Sequence, residues 1–242
     1  MPTPKIALVA ITKHGAKQVA QLATKLPDAD LLVSEKFRDL LENSHPSAQF
    51  YSGPFREQIA RLFLNYDQIV FFVSLGAVVR LVAPFLKSKD EDPGIIVVDD
   101  AAQFVIPVLS GHVGGANACA QMLADLLHAT PVLTTASDVG NTIPVDILGR
   151  ELGWQIEAPK INITRVSAHV VNEKPIAFVQ EAGSKNWWTR STPLPKNIFL
   201  FENFAGVDLS PFKAVLWVTN QDVPDSLWQQ LDESLVVYRV PE

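Results

Sequence analysis

Short apolar runs separated by helical patterns constrain the fold of this chain more than any other feature. Residues 6–11, 69–73 and 95–98 are apolar at every position, as is typical of strands buried on both faces of a sheet. Between these runs, residues 16–26 and 54–65 place apolar side chains at helical spacing. This alternation predicts an α/β fold, layered around a largely parallel sheet with helices on both faces.

The pattern changes in the second half of the chain. Residues 1–142 carry the regular alternation and are predicted to form an N-terminal α/β domain. Residues 143–242 contain a polar loop among shorter apolar runs, which predicts a smaller α/β subdomain. We expect a helix over residues 144–152 at its start. Trp187 and Trp188 in the polar loop are interpreted as core packing, a lid or a partner surface.

Composition limits the classes of partner and compartment. The formal net charge is −6 and the isoelectric point is about 5.4, which argues against nucleic acid as the main partner. The single cysteine, Cys119, lies on the apolar face of a predicted helix and fits a reducing compartment. No apolar run approaches the roughly 20 residues of a membrane helix. We therefore expect a cytoplasmic protein without a membrane partner, and a homodimer is compatible with the sequence.

One glycine-rich stretch joins a predicted strand, residues 104–109, to a predicted helix, residues 116–128. It runs Ser110-Gly-His-Val-Gly-Gly-Ala-Asn117. Backbone N–H groups at such a turn are unpaired, and the positive end of the helix dipole favours an anion there. The same dipole disfavours the charged form of His112, which would then act as a neutral general base. The stretch is predicted to be the floor of an active site, with a plain strand-to-helix link as the alternative.

Other polar turns also follow predicted strands, and we expect all of them to share one sheet edge. They are residues 12–15, 74–76, 99–100 and 134–138, together with the glycine-rich stretch. Asp99 and Asp100 form either a hairpin turn or a carboxylate pair, and we expect no protein-bound metal. Residues 134–138 are either a helix cap or a substrate contact in which Asp138 orients a base or a water molecule. Arg80 follows a glycine turn and is suited to clamp a carboxylate.

Taken together, these stretches resemble the CbiG family of cobalamin biosynthesis. The resemblance rests, in this order, on Lys89-Asp-Glu-Asp-Pro93, Ile95-Ile-Val-Val-Asp99, Leu109-Ser-Gly-His-Val-Gly-Gly-Ala-Asn117 and Leu133-Thr-Thr-Ala-Ser-Asp138. Gly76, Arg80 and Pro84 match the family's G-x-x-x-R turn and the proline after it. The match is dense from residue 74 to residue 141 and weaker beyond. Members of the family usually carry a further C-terminal domain of the CobE type, and a separate CobE-like domain or a corrin methyltransferase is a candidate partner.

The resemblance implies a cobalt-precorrin-5A hydrolase of the anaerobic route. Such an enzyme opens the ring-A δ-lactone, releases two carbons as acetaldehyde and gives cobalt-precorrin-5B. The cobalt belongs to the substrate, and no cofactor is expected. In this interpretation His112 activates water, Asp99 or Asp138 orients the histidine or the water, and the N–H groups of Gly114 and Gly115 stabilise the oxyanion. The remaining candidates for substrate binding are Gly76, Arg80, Lys89, Ser110, Gly111, Asn117, Thr134 and Thr135.

Two other functions stay open at this point. The chain could be a non-catalytic module that binds a corrinoid intermediate and passes it to neighbouring enzymes such as corrin methyltransferases. A nucleotide- or phosphate-binding domain is disfavoured, because the sequence has no G-x-x-x-x-G-K-[ST] and its glycine-rich stretch lacks the spacing G-x-G-x-x-G.

Overall fold

A computed structural model describes residues 3–241 of the chain. The chain divides into two compact units, the first ending at Leu133 and the second beginning at Thr134. The boundary predicted from the sequence, between residues 142 and 143, falls slightly further along. No helix among residues 3–241 is both long and apolar enough to cross a membrane.

The first unit is built on a seven-stranded sheet. In chain order its strands and α-helices are β1 (Ile6–Ala10), α1 (Lys13–Ala23), β2 (Asp30–Ser34), β3 (Gln49–Tyr51), α2 (Ile59–Asn65), β4 (Gln68–Phe72), α3 (Leu75–Val82), β5 (Gly94–Val98), β6 (Phe104–Leu109), α4 (Ala116–Leu127) and β7 (Thr130–Pro131). The strand order is β3-β2-β1-β4-β5-β6-β7. Neighbouring strands are parallel except β5 and β6, which are antiparallel. The predicted layered, largely parallel α/β fold is therefore confirmed.

Helices cover both faces of this sheet, and its central strands β1, β4 and β5 are buried at every position. Leu8 and Ala10 of β1 pack with α1 and α4 on one face, whereas Ala7 and Val9 pack with α2 and α3 on the other. Cys119 of α4 lies in the first of these cores, as its position on the apolar helix face predicts. Its burial raises the pKa of the thiol to about 12.

Helix α1 begins earlier than its apolar spacing predicts. Residues 12–15 are not a separate turn, since Thr12 is the N-cap and its hydroxyl accepts a hydrogen bond from the Gly15 N–H at 2.9 Å. Gly15 lies inside the helix, where an added Cβ would come within 2.7 Å of the Phe72 carbonyl oxygen. The glycine therefore lets the first turn of α1 pack directly on the end of β4.

The second unit contains a five-stranded sheet. In chain order its strands and α-helices are α5 (Ala136–Val139), β8 (Gln155–Glu157), α6 (Lys160–Val171), β9 (Ile176–Gln180), β10 (Ile198–Phe201), β11 (Ala214–Val218), α7 (Asp225–Leu231) and β12 (Leu235–Arg239). The strand order is β10-β9-β11-β12-β8, with only β8 antiparallel to its neighbour. This sheet and its helices form the smaller α/β subdomain that the sequence predicts.

The prediction of a helix over residues 144–152 is wrong. The segment folds as successive tight turns that end in a short 3-10 helix, Arg150–Leu152. The Val145 carbonyl, which a helix would use internally, accepts the Tyr238 hydroxyl at 2.8 Å. Gly149 adopts a left-handed conformation (φ +69°), and the Trp154 ring occupies the space of its missing side chain. Tertiary packing therefore overrides the local helical pattern.

Candidate active site

The direction of β6 decides where the glycine-rich stretch lies. Because β6 runs antiparallel to β5, with Leu109 opposite Ile95, it ends at the edge where β4 and β5 begin. We call this the motif edge, and we call residues 110–117 the motif turn. The turn is fastened there, since the Ser110 hydroxyl donates to the Asp92 carbonyl oxygen at 2.9 Å.

Asp99 and Asp100 lie at the opposite edge, where β5 ends. The Asp99 carboxylate accepts hydrogen bonds from the N–H groups of Ala101, Gln103 and Phe104 at 3.2, 2.8 and 2.6 Å, so it closes the β5–β6 hairpin. The length of β5 separates it from the motif turn by roughly 15 Å along the strand. The expectation that Asp99 orients His112 is therefore wrong, and the hairpin alternative is correct.

Gly76 and Arg80 are also at this opposite edge. They lie one turn apart on α3, which begins where β4 ends, and the Arg80 guanidinium donates to the Gly76 carbonyl oxygen at 3.0 Å. Thr12 is there too, with its hydroxyl 3.1 Å from the Asp100 carboxylate. The polar turns of the first unit therefore occupy two edges of the sheet, and the expectation of one shared edge is wrong.

Hydrogen bonds within the motif turn decide which backbone N–H groups a ligand could reach. The N–H groups of Gly115, Ala116 and Asn117 donate to the carbonyl oxygens of His112, Ser110 and Gly111 at 2.9, 3.2 and 2.9 Å. The predicted oxyanion donor Gly115 is thus already used inside the turn. Within residues 3–241 the Gly114 N–H has no acceptor, so it is the donor of the predicted pair that stays available.

Close packing inside the turn explains its glycines. A Cβ on Gly111 would lie 2.6 Å from the Asn117 side-chain oxygen, and one on Gly114 would lie 2.7 Å from the Ser110 carbonyl oxygen. Gly115 caps α4 with φ +81°, and Ser110 also has a positive φ, +55°. A non-glycine residue in that region is strained, and such strain is concentrated at functional sites. The half-buried His112 is therefore carried by a tightly specified backbone.

The buried side chain of Gln68 holds the motif turn through a hydrogen bond. It is the first residue of β4, only 4% exposed, and its side-chain N–H donates to the Gly114 carbonyl oxygen. Its side-chain oxygen has no hydrogen-bond partner within residues 3–241. Gly94 on the neighbouring strand makes room for this amide, because an added Cβ would lie 2.8 Å from its Cδ. Sequence analysis missed Gln68, since a polar residue before an apolar run looks like an ordinary strand start.

The loop before β5 brings charged groups to the motif edge. The carboxylate of Asp92 accepts the Lys87 N–H at 3.0 and 3.1 Å, and the Asp92 backbone binds Ser110 as described above. Lys89 lies in this loop and is exposed. Of the two predicted carboxylate-binding cations, Lys89 therefore belongs to the motif edge and Arg80 does not.

The remaining predicted site residues, Thr134, Thr135 and Asp138, belong to the second unit. Thr135 precedes α5, and its carbonyl oxygen accepts the Asp138 N–H at 3.0 Å. The Asp138 carboxylate forms an ion pair with Arg190 at 2.9 Å, and both side chains are about four-fifths buried. Sequence analysis missed Arg190, because 52 residues separate it from its partner.

Each half of the chain matches a known protein-family model. Residues 57–138 match the family model described as cobalamin synthesis G N-terminal. Residues 143–239 match the model described as cobalamin biosynthesis central region. Together the two models include the motif turn, Asp138 and Arg190.

Two curated relatives carry the same name. A cobalt-precorrin-5A hydrolase from Priestia megaterium is 42% identical over 234 residues, which are 96% of this chain and 62% of that protein. One from Salmonella typhimurium is 33% identical over 183 residues, which are 76% of this chain and 48% of that protein. The chain thus spans less than two thirds of the length of either relative. A crystal structure of a cobalamin biosynthesis protein G homolog from Sulfolobus solfataricus is 21% identical, with a TM-score of 0.49 over 97% of this chain and 60% of that one.

Proposed function

Since the chain belongs to the cobalamin biosynthesis G family over its N-terminal and central regions, we propose that it carries the hydrolytic chemistry of a cobalt-precorrin-5A hydrolase. The reaction is the opening of the ring-A lactone, with the later loss of two carbons as acetaldehyde. The observation that supports this most directly is the motif turn, where a histidine and an available backbone N–H share one strained, closely packed loop. A base and an oxyanion donor are the two groups that ester hydrolysis requires.

His112 is the proposed general base. Water adds to the lactone carbonyl carbon while its proton passes to the imidazole of His112. The carbonyl oxygen becomes an oxyanion that accepts the Gly114 N–H, a contact of the kind typically worth about 3 kcal/mol. The ring C–O bond then breaks, and the departing oxygen takes the proton back from the imidazolium. The products of this step are a hydroxyl group and a carboxylic acid, which releases its proton to the solvent and becomes a carboxylate.

The other proposed contacts serve binding rather than bond breaking. Exposed Lys89 is placed to attract a peripheral carboxylate of the tetrapyrrole. The remaining proposed substrate contacts are Ser110, Gly111 and Asn117 in the first unit and Thr134 and Thr135 in the second. Asp138 keeps its proposed role of orienting a base or a water molecule. Gly76, Arg80, Asp99 and the Gly115 N–H have no part in this proposal, for the geometric reasons given above.

The cobalt is part of the substrate in this proposal, and the chain's own residues supply the acid–base chemistry. We place the reaction in the cytoplasm, because one buried cysteine fits a reducing compartment. The proposed partners are the tetrapyrrole itself, a CobE-type domain and the corrin methyltransferases of the same route.

The test is acetaldehyde release from cobalt-precorrin-5A by the wild-type chain and by His112→Ala. We expect the variant to be at least about 100-fold slower, as is typical when a general base is lost. His14→Ala is the matched control, because His14 is exposed at the start of α1, at the opposite edge, and should keep the wild-type rate. Equal rates for the two variants would remove His112 from the mechanism. Tight substrate binding without release by the wild type would support a carrier module instead.

A further inference from the structure

The second unit contains an aromatic pocket that the proposed chemistry does not use. Its volume is about 260 Å³. The walls come from the sheet, through Phe178, Leu200 and Phe201, and from the loop of residues 183–197. Trp187 and Trp188 of that loop form the other side, so the pocket lies between the loop and strands β9 and β10. Pockets of this kind, apolar and with few polar groups, are typical of small-molecule sites.

The polar atoms of the aromatic walls are already satisfied by the protein. The Trp187 indole N–H donates to the Gln180 side-chain oxygen at 3.0 Å, and the Trp188 indole N–H donates to the Thr192 carbonyl oxygen at 2.7 Å. Trp187 also stacks on Phe178, with ring centroids 4.4 Å apart. The Trp187 and Trp188 rings meet edge to face, with centroids 6.0 Å apart, so they present apolar surfaces against which a flat apolar group can lie.

The loop that carries the two tryptophans is held in place before any ligand binds. The Gln180 amide donates to the carbonyl oxygens of Ser184 and Ala182, at 2.9 and 3.2 Å, where the loop leaves β9. Further along, Arg190 lies 5.9 Å from the centre of the Trp188 ring and pairs with Asp138. Asp138, the carboxylate of the Thr-Thr-Ala-Ser-Asp motif, thus helps to hold the wall that Trp188 forms. Because the pocket is preformed, binding a ligand costs little conformational entropy.

Two opposite charges stand at the pocket mouth. The Lys185 ammonium and the Glu202 carboxylate are 2.7 Å apart, and their side chains are 73% and 79% exposed. An exposed pair of this kind contributes little to stability and separates easily. A ligand carboxylate could therefore take the Lys185 ammonium from Glu202 at low cost.

We propose that this pocket binds one pyrrole-type ring with carboxylate side chains, as a subsite for the tetrapyrrole. The ring lies against Trp187 and Trp188, and a carboxylate meets Lys185. The volume of 260 Å³ is just below the roughly 300 Å³ at which drug-sized sites begin, so the pocket holds one substituted ring rather than a macrocycle. The identity of the ligand rests on the proposed function, whereas the binding chemistry rests on the pocket alone.

The test is a titration of the full chain with a pyrrole that bears one acetate and one propionate side chain, and with its dimethyl ester as the uncharged probe. Binding is followed by the NMR shifts of the Trp187 and Trp188 indole N–H groups. We expect Lys185→Gln to weaken binding of the diacid about three- to fivefold, as for loss of an exposed charge contact. Glu202→Gln should strengthen it, and neither change should alter binding of the ester. Arg165→Gln, which removes the cation of another surface ion pair of this unit, is the matched control and should change nothing.

Two results would overturn the inference: no saturable shift of either indole with the diacid, or diacid affinities that are equal in the wild type and both mouth variants. Both variants are at exposed positions, so loss of folding does not confuse the result. The assay needs no turnover. A chain that binds the pyrrole but releases no acetaldehyde refutes the proposed function alone, and a chain that releases acetaldehyde without binding the pyrrole refutes this inference alone.

Discussion

Replacing Gly94 by alanine tests the support that Gln68 gives to the motif turn. The new Cβ would lie 2.8 Å from the Gln68 Cδ and closer still to its amide oxygen, so the buried amide must move. Such overpacking costs about 1–3 kcal/mol. Displacing the amide also removes the donor to the Gly114 carbonyl, at about 1 kcal/mol. We expect Gly94→Ala to lower the free energy of unfolding of the first unit by about 2–4 kcal/mol.

The same substitution should be harmless once Gln68 is shortened. In a Gln68→Ala background the space beside residue 94 is open, and alanine there reduces the entropy of the unfolded chain. Gly94→Ala should then be neutral or stabilising by up to about 1 kcal/mol. The two changes are therefore coupled by at least about 2 kcal/mol in a double-mutant cycle, as expected for residues in contact.

Urea unfolding of the wild type, Gly94→Ala, Gln68→Ala and the double variant, followed by far-ultraviolet circular dichroism, measures this coupling. Tryptophan fluorescence provides an internal control, because all five tryptophans are in the second unit and should report an unchanged transition. A Gly94→Ala cost that is the same in both backgrounds, within about 0.5 kcal/mol, would refute the contact between Gln68 and Gly94.

Two further predictions concern residues outside the proposed chemistry. Asp99→Ala should cost about 1–2 kcal/mol in urea unfolding, because three backbone N–H groups lose their acceptor, yet keep acetaldehyde release per folded molecule within about twofold. A stable Asp99→Ala chain with a tenfold slower rate would return this carboxylate to the reaction. The pKa of the Cys119 thiol rises from 9.0 to about 12 on folding, so stability is unaffected below pH 9 and falls by about 1.4 kcal/mol per pH unit between pH 9 and 12. Cys119→Ala should lack this component of the alkaline slope, and identical slopes in the two proteins would contradict burial of the thiol.

The sequence already contained the information that places the motif turn. Five residues link β5 to β6, and a parallel crossover needs a dozen or more, so the pair must be a hairpin. A hairpin reverses the chain, and β6 must then end at the edge where β5 begins. The expectation of one shared edge failed because the rule for parallel strands was applied to an antiparallel one. The predicted hairpin is correct, since β5 and β6 are antiparallel.

Local patterns predicted the elements well where burial and helical spacing agreed. Helix α4 begins at the predicted Ala116, and strand β6 covers the predicted residues 104–109. The local pattern wrongly predicted a helix over residues 144–152. There the Tyr238 hydroxyl donates to the Val145 carbonyl oxygen, from 93 residues further along the sequence. No local pattern contains such a partner.

By itself, then, the sequence determined the two α/β units, the direction of β6, the motif turn and the family, because each follows from residues close together along the chain. Only the tertiary structure decided which groups hold that turn and its neighbours. Gln68 meets Gly114 across 46 residues, and Arg190 meets Asp138 across 52. Folding alone brings such distant residues together, so the supporting amide, the paired carboxylate and the aromatic pocket are properties of the packed chain.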